Sequence, residues 1–178
     1  GGKAVLYTGH HDSRGFDEAN LVVQPLPDGA PRIIRRGGYH ARYLPSGHVV
    51  YVNNGRLLAV PFDLNRLELV GEPVPVLEDV AATPRSGGAQ FALSDSGTLV
   101  YVREQGAEDQ VALHWMDREG KTTPMRATLA RWNSPQFSPD GSRLALDILD
   151  ERGQNDVWVY DWARDSLSRL TFDTANER

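Results

Sequence analysis

Three turn segments recur along the chain, Leu44-Pro45-Ser46-Gly47, Ser94-Asp95-Ser96-Gly97 and Ser138-Pro139-Asp140-Gly141, their glycines 50 and 44 residues apart. Behind each glycine comes an apolar run: Val49-Val50-Tyr51-Val52, Leu99-Val100-Tyr101-Val102 and Leu144-Ala145-Leu146. Val5-Leu6-Tyr7, 44 residues before Val49, is the same run again. After a polar loop a second strand follows in each period, at Leu21 to Leu26, Leu57 to Phe62, Leu113 to Asp117 and Val157 to Asp161. A third is expected at Pro31 to Arg35, Val74 to Leu77, Thr123 to Arg126 and Leu167 to Thr171. A fourth precedes the next glycine turn, at Ala41 to Leu44, Gln90 to Leu93 and Pro135 to Phe137. Four short strands per period of about 44 residues, without helical periodicity, predict the blades of an all-β propeller. The repeats run roughly 1–44, 45–93, 94–137 and 138–178.

Burial explains why such a chain must build blades. A twisted four-stranded sheet cannot cover either of its own faces, so successive sheets stack face to face about an axis. Strands buried on both faces read as unbroken apolar runs, as Leu57 to Val60 does. Phe91, Leu93, Trp115, Phe137 and Trp158 are expected to fill the space between blades. In the turn that begins Ser138-Pro139-Asp140-Gly141, proline pre-sets the first turn dihedral and Asp-Gly makes the reversal.

The last repeat reads Phe137-Ser138-Pro139-Asp140-Gly141-Ser142-Arg143-Leu144-Ala145-Leu146, then Asn155-Asp156-Val157-Trp158-Val159-Tyr160-Asp161, then Ser168-Arg169-Leu170-Thr171. It resembles the repeat of TolB-like, WD40-like propellers over Phe137 to Phe172. The other three repeats are degenerate but keep their turns in register. Ala41 to His48, Ala59-Val60-Pro61-Phe62-Asp63 and Gly97-Thr98-Leu99-Val100-Tyr101 look like the propeller regions that follow the catalytic domain in bacterial serine/threonine kinases. The resemblance implies a non-enzymatic interaction or sensor module in an extracytoplasmic, periplasmic setting. Asp156 and Asp161 flank a central strand, where carboxylates accept hydrogen bonds from neighbouring loops; no set of oxygen ligands at loop spacing marks them as a calcium site.

Composition narrows the partners. A net charge of -5 and a pI near 5.5 are the wrong sign for neutralising phosphates, so nucleic acid is not expected. The longest apolar stretches, such as Leu57 to Pro61, are strand-sized and predict no membrane insertion. The absence of cysteine excludes disulfides, thiolate-bound zinc, iron–sulfur clusters and a thiol nucleophile. Gly1-Gly2-Lys3 leads straight into a strand, which reads as an excised piece of a longer polypeptide. Thr174 to Arg178 aligns with the start of an innermost strand, whereas the first repeat lacks one. Closure as a four-bladed ring, association of copies, or an open arc within a larger chain would each answer the two sticky ends.

No chemistry-bearing motif emerges. Gly1-Gly2, Gly37-Gly38 and Gly87-Gly88 fit neither the Walker nor the dinucleotide pattern and read as turns, and no kinase catalytic loop or Gly-x-Ser-x-Gly elbow occurs. His10-His11-Asp12 reads as a solvated loop, since adjacent side chains diverge in extended backbone; His48 and His114 read as ordinary hydrogen-bonded histidines. No cofactor, metal or catalytic residue is expected. A propeller binds at the channel rim, where loops entering the innermost strands converge. That geometry selects Tyr39, His40 and Arg42, then Arg85 and Gln90, then Arg131, Trp132 and Asn133, a set rich in the Arg and aromatic residues that dominate hot spots. Three readings follow: a non-catalytic module binding a protein, peptide or small ligand at this rim; part of the gating propeller of a prolyl-oligopeptidase-like hydrolase; or a self-associating structural fragment.

Overall fold

A computed structural model describes residues 2–10, 15–94, 96–104, 112–125, 130–150 and 154–172. The protein is all-β, with four antiparallel blade sheets in two compact units, residues 1–89 and 90–178. In the first unit β1 (Ala4–Gly9), β2 (Asn20–Pro25) and β3 (Arg32–Arg36) form one sheet. The next is β4 (Tyr39–Leu44), β5 (His48–Asn53) and β6 (Arg56–Asp63), with β7 (Glu68–Leu69) and β8 (Val74–Leu77) both pairing with β6. A small hairpin, β9 (Ala82–Thr83) with β10 (Gly88–Ala89), closes the unit. The second unit holds β11 (Phe91–Leu93), β12 (Leu99–Val102), β13 (Leu113–Met116) and β14 (Thr122–Pro124) in one sheet. Its second sheet is β15 (Arg131–Phe137), β16 (Arg143–Leu149), β17 (Asn155–Asp161) and β18 (Ser166–Arg169).

The recurring glycine turns share one geometry. Gly47, Gly97 and Gly141 have φ of 82°, 88° and 68°, and each donates its N–H to the carbonyl three residues earlier, at 2.9, 2.9 and 2.8 Å. Only glycine takes that left-handed position without strain. Asp140 locks the last turn: its carboxylate accepts from the Ser138 hydroxyl at 2.6 Å and from the Ser142 hydroxyl at 2.7 Å. Those hydrogen bonds, Ser138 first, hold its pKa down at about 2.

Within the first unit the core lies between blades. Leu21 and Val23 of β2 pack with Val49, Tyr51, Val60 and Phe62 of the next blade, and Ala4 and Leu6 join from β1. Register explains the face: Leu6 pairs with Val23 across β1/β2, and Val49 with Val60 across β5/β6, so each pair projects to one side of its sheet. In the second unit the contact is aromatic. Trp115 stacks on Phe137 at 6.1 Å, and Trp162 meets both edge-on at 5.2 and 5.9 Å. Trp162 is an addition to the expected filling set.

The strand pattern departs from expectation at identifiable places. The strand before each glycine turn opens its sheet, at β4, β11 and β15, as expected of innermost strands; the differences lie elsewhere. β4 and β15 start at Tyr39 and Arg131, earlier than the apolar pattern reaches, because their first halves are irregular. Residues 16–18 form a 3-10 turn where a polar loop was expected. His11, Asp12, Asp95, Arg126 and the expected strand start at Thr174 lie outside the described residues.

Asp156 is structural, as its place beside the central strand suggests. Its buried carboxylate accepts from Arg169 Nη2 at 2.6 Å and from the Thr171 hydroxyl at 3.4 Å, while Val157 N–H donates to Thr171 Oγ1 at 2.9 Å. Arg169 also donates to the Thr171 carbonyl at 2.8 Å. The network fastens the chain after β18 onto β17. Removing the acid leaves the partly buried Arg169 guanidinium without its carboxylate, so Asp156→Ala should cost about 2–4 kcal/mol, with Asp156→Asn costing less. Urea unfolding checks this; an unchanged midpoint for Asp156→Ala would show that the pair carries no stability.

Candidate functional site

The inner strands β4 and β15 carry the same distortion. Tyr39 pairs with Val52 but Arg42 with Val50, so His40 and Ala41 both stand opposite Tyr51. Asn133 pairs with Asp147 but Gln136 with Ala145, so Ser134 and Pro135 both stand opposite Leu146. The first residue of each bulge is left-handed, His40 at φ 53° and Ser134 at φ 50°. Pro135 explains one bulge, having no N–H to give the ladder. Gly38 explains the other: at φ 126°, a Cβ there would lie 2.5 Å from the Tyr51 ring. A bulge re-aims the side chains beside it and recurs next to functional sites, and non-glycine residues held at positive φ are strain that the surroundings must enforce.

In the first unit the bulge is built into an aromatic corner. Phe16, in the 3-10 turn, stacks flat on His10 at 4.3 Å and meets Tyr39 edge-on at 6.0 Å. Its N–H donates to the Pro84 carbonyl at 2.8 Å, and a Cβ on Gly87 would lie 2.5 Å from its ring. The His40 ring hydrogen-bonds the Gly87 backbone. Asp17 ties the corner to the β5/β6 turn, its Oδ1 accepting from Asn54 N–H at 2.7 Å and its carbonyl from Asn53 Nδ2 at 2.8 Å. Tyr39, His40 and the turn carrying Arg85 are thus brought together, with Arg42 close enough for its charge to act on His40. Tyr39 is buried, while Arg42 and Arg85 are exposed.

In the second unit Gln90 reaches its neighbouring bulge. Its side-chain Oε1 accepts from Ser134 N–H at 2.5 Å. Asn133 Nδ2 donates to the Arg131 carbonyl at 3.4 Å, and Trp132 is buried. Gln90, Arg131, Trp132 and Asn133 therefore gather beside one bulge, at Ser134-Pro135. Tyr39 and Trp132 serve this frame as packing, and the exposed or half-buried members are His40, Arg42, Arg85, Gln90, Arg131 and Asn133.

Phe16 and Ser134 escaped the sequence reading. Phe16 is a lone aromatic among polar residues, with no periodicity to mark it; Ser134 is marked only by the proline that follows. The other histidines have plain partners: His48 Nδ1 lies 3.1 Å from the Ser46 carbonyl, and His114 Nδ1 3.2 Å from the Ala112 carbonyl. Among the described residues no three His, Cys, Asp or Glu converge as metal ligands. Nor, among them, is any helix long and apolar enough to cross a membrane. An apolar cavity of about 570 Å³ opens between the first two blades, lined by Leu6, Val23, Tyr43, Phe62, Leu64 and Leu67.

No protein-family model matches the sequence, and a search of curated proteins returns no match. Solved structures do match. TolB from Acinetobacter baumannii is similar at 15% identity with a TM-score of 0.73, over 98% of this chain and 43% of that one. The fold is a TolB-like β-propeller. A puromycin-hydrolyzing peptidase of Mycobacterium tuberculosis is similar at 16% identity and TM-score 0.71, over 99% of this chain and 28% of that chain. An oligogalacturonate lyase, solved in complex with manganese, is similar at 16% identity and TM-score 0.64, over 97% of this chain and 50% of the lyase. The chain thus spans half or less of the length of each.

His40 gives the corner a titration signature. Burial lowers its pKa to about 4, the Arg42 charge adds to the effect, and the hydrogen bond to Gly87 opposes it. The ring stays neutral when folded but charges when unfolded near its ordinary value of about 6.5. Stability should therefore fall as pH drops from 6.5 towards 4, and His40→Gln should flatten that slope. NMR titration of the imidazole provides the check; a His40 midpoint at or above 6.5 would contradict the corner as described.

Proposed function

We propose that the chain is a non-catalytic propeller module in which each unit's bulged inner strand binds a peptide or protein segment with acidic groups. The carrying observation is the pair of equivalent bulges, each starting at a left-handed residue, His40 or Ser134, and each accompanied by arginine. Arg42 and Arg85 belong to the first bulge and Arg131 to the second. Guanidinium groups pair with carboxylates in two-pronged fashion, and backbone held by its own packing offers a rigid platform for them. His40, Gln90 and Asn133 add neutral hydrogen-bonding groups, while buried Tyr39 and Trp132 fix the strands that present them. A sensor role in a kinase-linked protein of an extracytoplasmic compartment is the setting that the sequence resemblance supports.

A second reading, the gating propeller of a serine hydrolase, draws on the fold likeness to puromycin-hydrolyzing peptidases. The two are separated by sequencing the gene on either side: a Gly-x-Ser-x-Gly elbow downstream favours the hydrolase, a kinase domain upstream favours the sensor. The binding reading is tested with a displayed random peptide library panned against the purified chain. Acidic sequences should be enriched, and each selected peptide should lose about tenfold or more in affinity on substitution of the arginine at the bulge it occupies, Arg42→Ala at the first or Arg131→Ala at the second. Enrichment of apolar sequences indifferent to both substitutions would overturn it.

A further inference from the structure

The first blade leaves one face uncovered in a way the second does not. Across β1/β2, Tyr7 pairs with Val22 and Val5 with Gln24; across β2/β3, Val22 pairs with Ile33. Val5, Tyr7, Val22 and Ile33 therefore share a face, opposite to that of Leu6, Leu21 and Val23. On it Val5 is 45% exposed, Tyr7 38% and Ile33 50%, around a buried Val22 at 7%. Their counterparts one repeat later, Val49 and Tyr51, are at 0%. What covers Val49 and Tyr51 is known: the apolar rear of the preceding blade, Leu6, Leu21 and Val23. The same residue types at the same register positions ask for the same kind of cover.

The chain itself carries a matching rear face. In the fourth blade Ala145 pairs with Val159 and Asp147 with Val157, the register in which Leu6 meets Val23 and Thr8 meets Leu21 in the first. Ala145, Val157 and Val159 are only half-buried, beside a buried Asp147. Leu170, whose N–H donates to the Val157 carbonyl at 2.8 Å, is 62% exposed. We propose that the Val5, Tyr7 and Ile33 face receives the Val157, Val159 and Leu170 face of a second copy of this chain, blade against blade, as Leu21 and Val23 receive Val49 and Tyr51 within the first unit. The contact is heterologous, joining two different surfaces, so it closes into a ring or extends. It is independent of ligand binding at the bulges.

Sedimentation velocity of the intact chain over a wide concentration range, with two variants at exposed positions, provides the test. Wild type should associate reversibly. Tyr7→Glu and Leu170→Glu should each keep the wild-type circular dichroism and weaken self-association about 30-fold or more, as loss of an interface hot spot does. Mixed together, the two variants should form a one-to-one dimer that grows no further, since each supplies the face the other lacks. A wild type that remains monomeric, a Leu170→Glu variant that still self-associates, or a mixture that fails to pair would each overturn the proposal.

Discussion

Leu6, Leu21 and Val23 of the first blade lie against Val49, Tyr51 and Val60 of the second, and neither sheet could keep its apolar face from water without that contact. Strand pairing alone supplies hydrogen bonds that water would supply equally well; burial of the facing side chains is what favours the stacked state. The rest of the structure follows. Strands buried on both faces must be apolar throughout, turns must be tight enough to return the chain within one blade thickness, and polar groups inside need dedicated partners. Asp156 illustrates the last requirement, held by Arg169 and Thr171 at the edge of its blade.

The bulges answer a different demand. A blade that packs on both faces has little freedom to present polar groups, except at the strand that has a neighbour on one side only. There a left-handed residue turns the backbone and breaks the alternation, and in each case a neighbouring segment steadies it. Gly87 is bonded to the His40 ring, and Gln90 accepts the Ser134 N–H. Both devices tie a bulge to a separate segment within its own compact unit. Packing therefore sets the frame, and the frame presents the arginines.

Blades were legible in the sequence because their signals are local and repeated. The glycine turns recur with Gly47, Gly97 and Gly141 all left-handed, and the apolar runs behind them became β5, β12 and β16. The role of Asp156 was also readable, because a carboxylate entering a central strand needs donors nearby. The first halves of β4 and β15 were not readable. Tyr39-His40 and Arg131 to Ser134 lack alternation since the bulge interrupts it, and a period-two pattern cannot reveal a place where the period fails. Phe16 was hidden for another reason: its contacts, with His10, Tyr39, Pro84 and Gly87, are set by tertiary folding rather than by neighbours in sequence. Topology put the candidate binding residues at or beside the inner strands β4, β11 and β15. Their burial was not foreseen, and Tyr39 and Trp132 proved to be packing groups.

The dependence of the fold on blade-to-blade burial is tested most directly by a double-mutant cycle between Leu21→Ala and Tyr51→Leu, measured by urea unfolding. These residues belong to different sheets and to one buried cluster. Stacked blades predict a coupling of about 0.5 kcal/mol or more, within the range for residues in contact. Strict additivity of the two losses would mean that the sheets do not rely on one another, and would contradict the account.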